Sequence, residues 1–191
     1  MKNAIILHGR PGHDEYFEED YPSPSNSHWL PWLQRELLRK GILAQAPEAL
    51  SPYKPTYKAW KRAIEYFDPN EETVLIGHSC GGGMIVQWLS RNPDVKVGKV
   101  ILVAPWIDLE KEDWPAFDFE IDEDLVSRTN GLTIFHSADD VDEIQTSVKE
   151  LKNRLKGNKY VEFKNMGHFT HKYLRDDTFP ELLEECLKRN T

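Results

Sequence analysis

Six short apolar runs punctuate this chain, and they show little alternation of apolar and polar residues: "AIILH" at 4–8, "ILAQA" at 42–46, "TVLIG" at 73–77, "KVILVA" at 99–104, "LTIFHS" at 132–137 and "YVEF" at 160–163. A strand with one wet face alternates; a continuous apolar run suits a strand buried on both faces. Segments with helical spacing lie between the runs, at 29–41, 56–67, 83–92 and 142–157, and a last one at 179–190 closes the chain. In the first of them Leu30, Leu33, Leu37 and Leu38 recur at helical intervals, and Gly41 follows as a stop signal. Strands alternating with helices predict an α/β fold, a parallel sheet covered by helices on both faces. The alternation lapses only at 105–130.

Several function classes fall away on composition. A chain of 191 residues with 39% hydrophobic content, six Trp, seven Tyr and eight Phe can bury one substantial core and does not read as disordered. Its net charge of −8 disfavours nucleic acid or an anionic membrane surface as partner. Cys80 and Cys186 cannot make a disulfide framework, which suits a reducing compartment. The apolar run before His8 is too short for a signal-peptide core. No stretch approaches the roughly 18 apolar residues of a membrane span. The expectation is one soluble, cytoplasmic domain over residues 1–191.

Chemistry first shows in "VLIGHSCGGG", residues 74–83. Glycine inside a helix costs about 0.8–1.0 kcal/mol relative to alanine, yet three glycines stand where a helix begins. A P-loop would need Lys where Gly83 stands, and the G-x-G-x-x-G of a dinucleotide-binding turn is absent. The pattern that fits is G-x-S-x-G, with Gly77, Ser79 and Gly81. In such an elbow a serine sits on a strained strand-to-helix turn that brings helix backbone against neighbouring strands, so flanking positions must be small. Gly77, Gly81 and Gly82 meet that demand.

A nucleophilic serine needs an acid and then a histidine, each after a later strand. "IFHSADDVDE" supplies Asp139 and Asp140, and "YVEFKNMGHF" supplies His168. The competing readings are helix capping for Asp140 with Glu143, and His171 as the base. A zinc site at His168 and His171 lacks the company such sites need, so no metal and no cofactor is expected. Cys80 falls one residue past the elbow apex and is better placed to offer its N–H to an oxyanion. The second donor is expected in "LHGRPGHDEY" after the first strand, at the N–H of Arg10.

These stretches together resemble the small single-domain serine hydrolases of the retinoblastoma-binding-protein-9 type, a minimal α/β-hydrolase family. The resemblance runs through "HGRPG", "SHWLPWLQRELLRKG", "APEAL", "IGHSCGG", "SADD" and "GHF". It implies Ser79 as nucleophile, Asp140 as triad acid and His168 as base, on a six-stranded parallel sheet ordered 2-1-3-4-5-6. Many relatives follow the acid with a Val-Pro or Leu-Pro step, whereas this chain continues with Asp142 and Glu143.

The activity so implied is cleavage of a small carboxylic ester or amide through an acyl-enzyme. The rival is a protein-interaction module on a hydrolase scaffold, with exposed aromatics such as Trp106 or Trp114 meeting a protein partner. One stretch departs from the family pattern: residues 106–126 carry nine carboxylates against one lysine, with Trp106, Trp114, Phe117 and Phe119. It is expected either to form an acidic cap, with its aromatics toward an acyl pocket and a preference for cationic esters, or to be a solvated surface excursion.

Overall fold

The computed structural model describes residues 3–109 and 117–188, and each apolar run forms a strand within it. The strands are β1 (Asn3–Leu7), β2 (Leu43–Gln45), β3 (Thr73–His78), β4 (Val100–Val103), β5 (Leu132–Ser137) and β6 (Lys159–Phe163). They make one sheet in the order β2-β1-β3-β4-β5-β6, every neighbouring pair parallel. Order and class are as expected. Every residue of β3, β4 and β5 is buried, which accounts for their largely apolar character. The outer strands β2 and β6 are mixed, because an edge strand meets helix cover over only part of its length.

The described residues also form six α-helices, five between strands and one after the last: α1 (His13–Phe17), α2 (Leu30–Arg39), α3 (Tyr57–Glu65), α4 (Cys80–Arg91), α5 (Asp142–Arg154) and α6 (Pro180–Leu187). The step from β1 to β2 runs one way along the sheet, and the later steps run the other way. Right-handed crossovers then place α2 on one face and α3, α4 and α5 on the opposite face; α6 packs beside α2. Leu30, Leu33 and Leu37 of α2 are buried, while Leu38 lies off that stripe and is exposed. None of the described helices is long and apolar enough to cross a membrane.

The chain reverses direction between β1 and β3, which are neighbours. Their carboxyl ends are level, with Leu7 opposite Gly77 and His78 opposite Val103 of β4. That is the switch point where ligands bind in open α/β sheets.

The 105–130 stretch differs from the cap expectation where it is described. Trp106 and Phe117 face each other in an edge-on contact of 5.0 Å inside the core, not toward an open pocket. Burial also removes Trp106 as an exposed docking aromatic. Asp122 pairs with Arg128 at 2.5 Å, and Glu123 and Asp124 with Lys156 at 3.5 and 3.3 Å. Arg128 also donates to the carbonyls of Leu89, Asn92 and Val95 at the end of α4. These carboxylates therefore tie the segment to the helical face. Trp114 lies outside the described residues.

Candidate active site

Ser79 is the hinge between β3 and α4, and its backbone sits at φ 53° and ψ −122°. That region costs a non-glycine residue about 1–3 kcal/mol and persists only where surroundings over-determine it. Here its N–H donates to Val103 O at 2.9 Å, and its carbonyl accepts from Gly82, Gly83 and Trp106 at 2.9, 3.2 and 3.0 Å. The glycines make the turn geometrically feasible. A Cβ at Gly77 would come 2.7 Å from the Gly81 backbone, and one at Gly83 would collide with the Trp106 carbonyl. Gly83, which the motif alone does not mark, is thus required by the chain leaving β4.

Cys80 opens α4, where the first main-chain N–H groups have no partner within the helix. Its side chain is buried, and burial pushes the thiol up to about 12. A thiol so held is no nucleophile at neutral pH, which leaves the N–H as the useful group.

The loop after β1 is set by His8. Its Nδ1 lies 2.7 Å from Gly9 O, and its Nε2 accepts from Ala49 N–H at 3.0 Å. Only the Nδ1–H tautomer satisfies both contacts. Burial lowers the imidazole's pKa and keeps it neutral. With the Gly9 carbonyl turned toward His8, the trans peptide aims Arg10 N–H the opposite way. The Arg10 guanidinium lies 6.0 Å over the Trp106 ring.

His168 and the two aspartates show a division of labour. Nδ1 of His168 lies 2.9 Å from Oδ2 and 3.2 Å from Oδ1 of Asp140, whose side chain is 1% exposed. Asp139 turns elsewhere: its Oδ1 accepts from Ser137 Oγ at 2.5 Å and from Gly167 N–H at 2.9 Å. The Ser137 hydrogen bond above all, with that N–H, holds the Asp139 carboxyl below its usual range. His171 pairs with Asp177 at 2.7 Å, apart from Asp140. Among the described residues no group of three or more His, Cys, Asp or Glu is placed to hold a metal ion.

Gly9, Arg10, Ser79 and His168 line one cleft of about 410 Å³. Glu15, Tyr21, His28, Thr170, His171 and Lys172 also line it, with His171 N–H donating to His28 Nδ1 at 3.2 Å. Among the described residues, none of 105–109 or 117–130 lines it. A larger hollow of about 800 Å³ opens at the amino end of the sheet beside Val74 and Lys99, away from Ser79. Lys99 Nζ is engaged there with the carbonyls of Glu185 and Lys188, each at 2.8 Å.

A family model described as serine hydrolase matches residues 20–173. The chain is 29% identical over 106 residues to YdeN of Bacillus subtilis (strain 168), a protein provisionally named a hydrolase. That match covers 54% of this chain and 50% of the relative, so the chain spans about half the length of the curated relative it matches. In structure, the ydeN gene product from B. subtilis superposes with a TM-score of 0.81 at 22% identity over 97% of both chains. Est1E from Butyrivibrio proteoclasticus superposes with a TM-score of 0.65 at 18% identity, over 97% of this chain and 86% of its own. Both superpositions speak to the fold.

Proposed function

The chain belongs to the serine hydrolase family, and from that premise we propose that it cleaves a small carboxylic ester or amide through an acyl-enzyme on Ser79. His168 serves as base, Asp140 orients it, and the N–H groups of Arg10 and Cys80 hold the oxyanion. The observation that carries this reading is the Asp140–His168 pair, closed at 2.9 Å in the same cleft as the strained Ser79 elbow.

The chemistry follows from which atoms are already committed. Asp140 holds the hydrogen of His168 on Nδ1, so Nε2 is the bare nitrogen able to take a proton. It takes the Ser79 hydroxyl proton as Oγ bonds to the substrate carbonyl carbon, and the carbonyl electron pair moves onto oxygen. Asp140 then faces an imidazolium and stabilises it. The oxyanion forms between two N–H groups fixed in advance, and one such donor is worth about 10²–10³ in kcat. Collapse breaks the bond to the leaving group, which departs with the proton from Nε2. Water repeats the sequence on the acyl-enzyme, releasing the acid and restoring Ser79.

A fluorophosphonate probe tests the reading, because it phosphonylates only a serine activated in this way. Labelling confined to Ser79 and abolished by Ser79→Ala supports it. An unreactive wild-type protein, or labelling that survives in Ser79→Ala, removes it.

A further inference from the structure

One histidine in the elbow has no part in that chemistry. His78 ends β3 and is fully buried, its ring 5.0 Å from that of His168, 5.8 Å from Trp29 and 5.9 Å from His28. Its Nε2 lies 2.8 Å from the main-chain oxygen of His168, ninety residues further along the chain. A carbonyl only accepts, so Nε2 carries the hydrogen and Nδ1 is bare. Nδ1 is buried and has no hydrogen-bond partner among the described residues. Protonation would place a second hydrogen there with nothing to receive it. Burial first, then the neighbouring His168, His28 and His8, keep this imidazole neutral. His78 is therefore a fixed donor.

The group it holds needs holding. His168 stands between Gly167 at φ 46° and Phe169 at φ 53°, two residues in the left-handed region. Such a turn keeps its shape only under several restraints. Asp139 takes the N–H of Gly167 before the histidine, and Asp140 takes the ring. His78 takes the peptide leaving His168, from a position next to Ser79 in the chain.

We propose that His78 is a positioning residue, whose Nε2–H ties the main chain of His168 to the strand that delivers Ser79 and so sets how His168 Nε2 meets Oγ. The proposal rests on the triad reading above. It predicts a donor requirement at a particular reach, which bulk or polarity in the core would not produce. Gln can set its amide N–H near the place of Nε2; Asn stops about one bond short.

The test compares His78→Gln and His78→Asn with wild type, using fluorophosphonate labelling of Ser79, hydrolysis of p-nitrophenyl acetate, and the NMR resonance of the His168 Nδ1–H. His78→Asn is expected to lower labelling rate and kcat by about 10²-fold, the cost of misplacing a reacting group by about 1 Å, with little change in KM. It should also shift or broaden the His168 resonance. His78→Gln is expected to recover most of the rate and the wild-type resonance. Equal rates in the two variants, fast or slow, with an unmoved resonance overturn the proposal. A wild-type protein inert to the probe, with a resonance that still separates Asn from Gln, removes the triad reading and leaves the positioning role in place.

Discussion

Replacing each of the paired aspartates by Asn separates two geometries that the sequence leaves side by side. In Asp140, Oδ1 accepts the N–H of Val141 at 2.8 Å, while Oδ2 faces His168 Nδ1 at 2.9 Å. An amide whose oxygen stays on Val141 must turn its NH₂ toward Nδ1. Two donors cannot share that contact, so the imidazole moves its hydrogen to Nε2 and ceases to be a base. Flipping the amide only transfers the conflict to Val141. A wrong tautomer costs about 10⁴ in kcat, or about 5.5 kcal/mol of transition-state stabilisation. In Asp139, by contrast, the hydrogen bonds from Ser137 and Gly167 both end on Oδ1. An amide oxygen at that place accepts both, and the change from charged to neutral acceptor costs about 1 kcal/mol, less than tenfold in rate. The assay is kcat/KM for p-nitrophenyl acetate in both variants, with thermal melts to show that each is folded. Comparable losses, or a larger loss in Asp139→Asn, would refute the reasoning about which carboxylate serves the ring.

Two further outcomes follow from groups outside that pair. His8→Phe leaves Gly9 O and Ala49 N–H without their partner, at about 1–3 kcal/mol each; the melting temperature should fall and kcat should drop further than KM changes, whereas an unaltered kcat in the folded variant would exclude His8 from aligning Arg10 N–H. Neutralising Asp122, Glu123 and Asp124 together should lower stability through loss of the Arg128 and Lys156 pairs, yet leave the ratio of rates for cationic and anionic esters unchanged; a ratio that moves at low salt would bring the segment back to the site.

The layered architecture is legible in the sequence because central strands buried on both faces are built mostly from apolar residues. The candidate residues Ser79, Asp140 and His168 stand out in the sequence for a related reason, since each follows a strand on an element whose local pattern is strong. Long-range partners are what stay hidden. His8 and His78 look like ordinary residues flanking a glycine and a serine, and their roles depend on Ala49 and on a carbonyl at position 168. Their one visible signal is position, each a polar residue at the buried carboxyl end of a central strand. Gly83 is demanded by Trp106, which no local motif contains. α1 escapes notice because "HDEYF" has no buried stripe; it is held by contacts of His13, Tyr16 and Phe17 with Tyr53, at 5.0–5.2 Å. The acidic stretch misleads in the other direction, since nine carboxylates suggest a free field while Asp122 is drawn onto Arg128, and Glu123 and Asp124 onto Arg154 and Lys156 some thirty residues on.

The central claim is that Ser79 is an activated nucleophile in a preorganised site. Its most direct measurement is the stoichiometry and position of fluorophosphonate labelling on the intact wild-type chain, read by mass spectrometry of the protein and of its peptides. The account expects one adduct per chain, carried by the peptide containing Ser79. No adduct, or an adduct on any other residue, contradicts it.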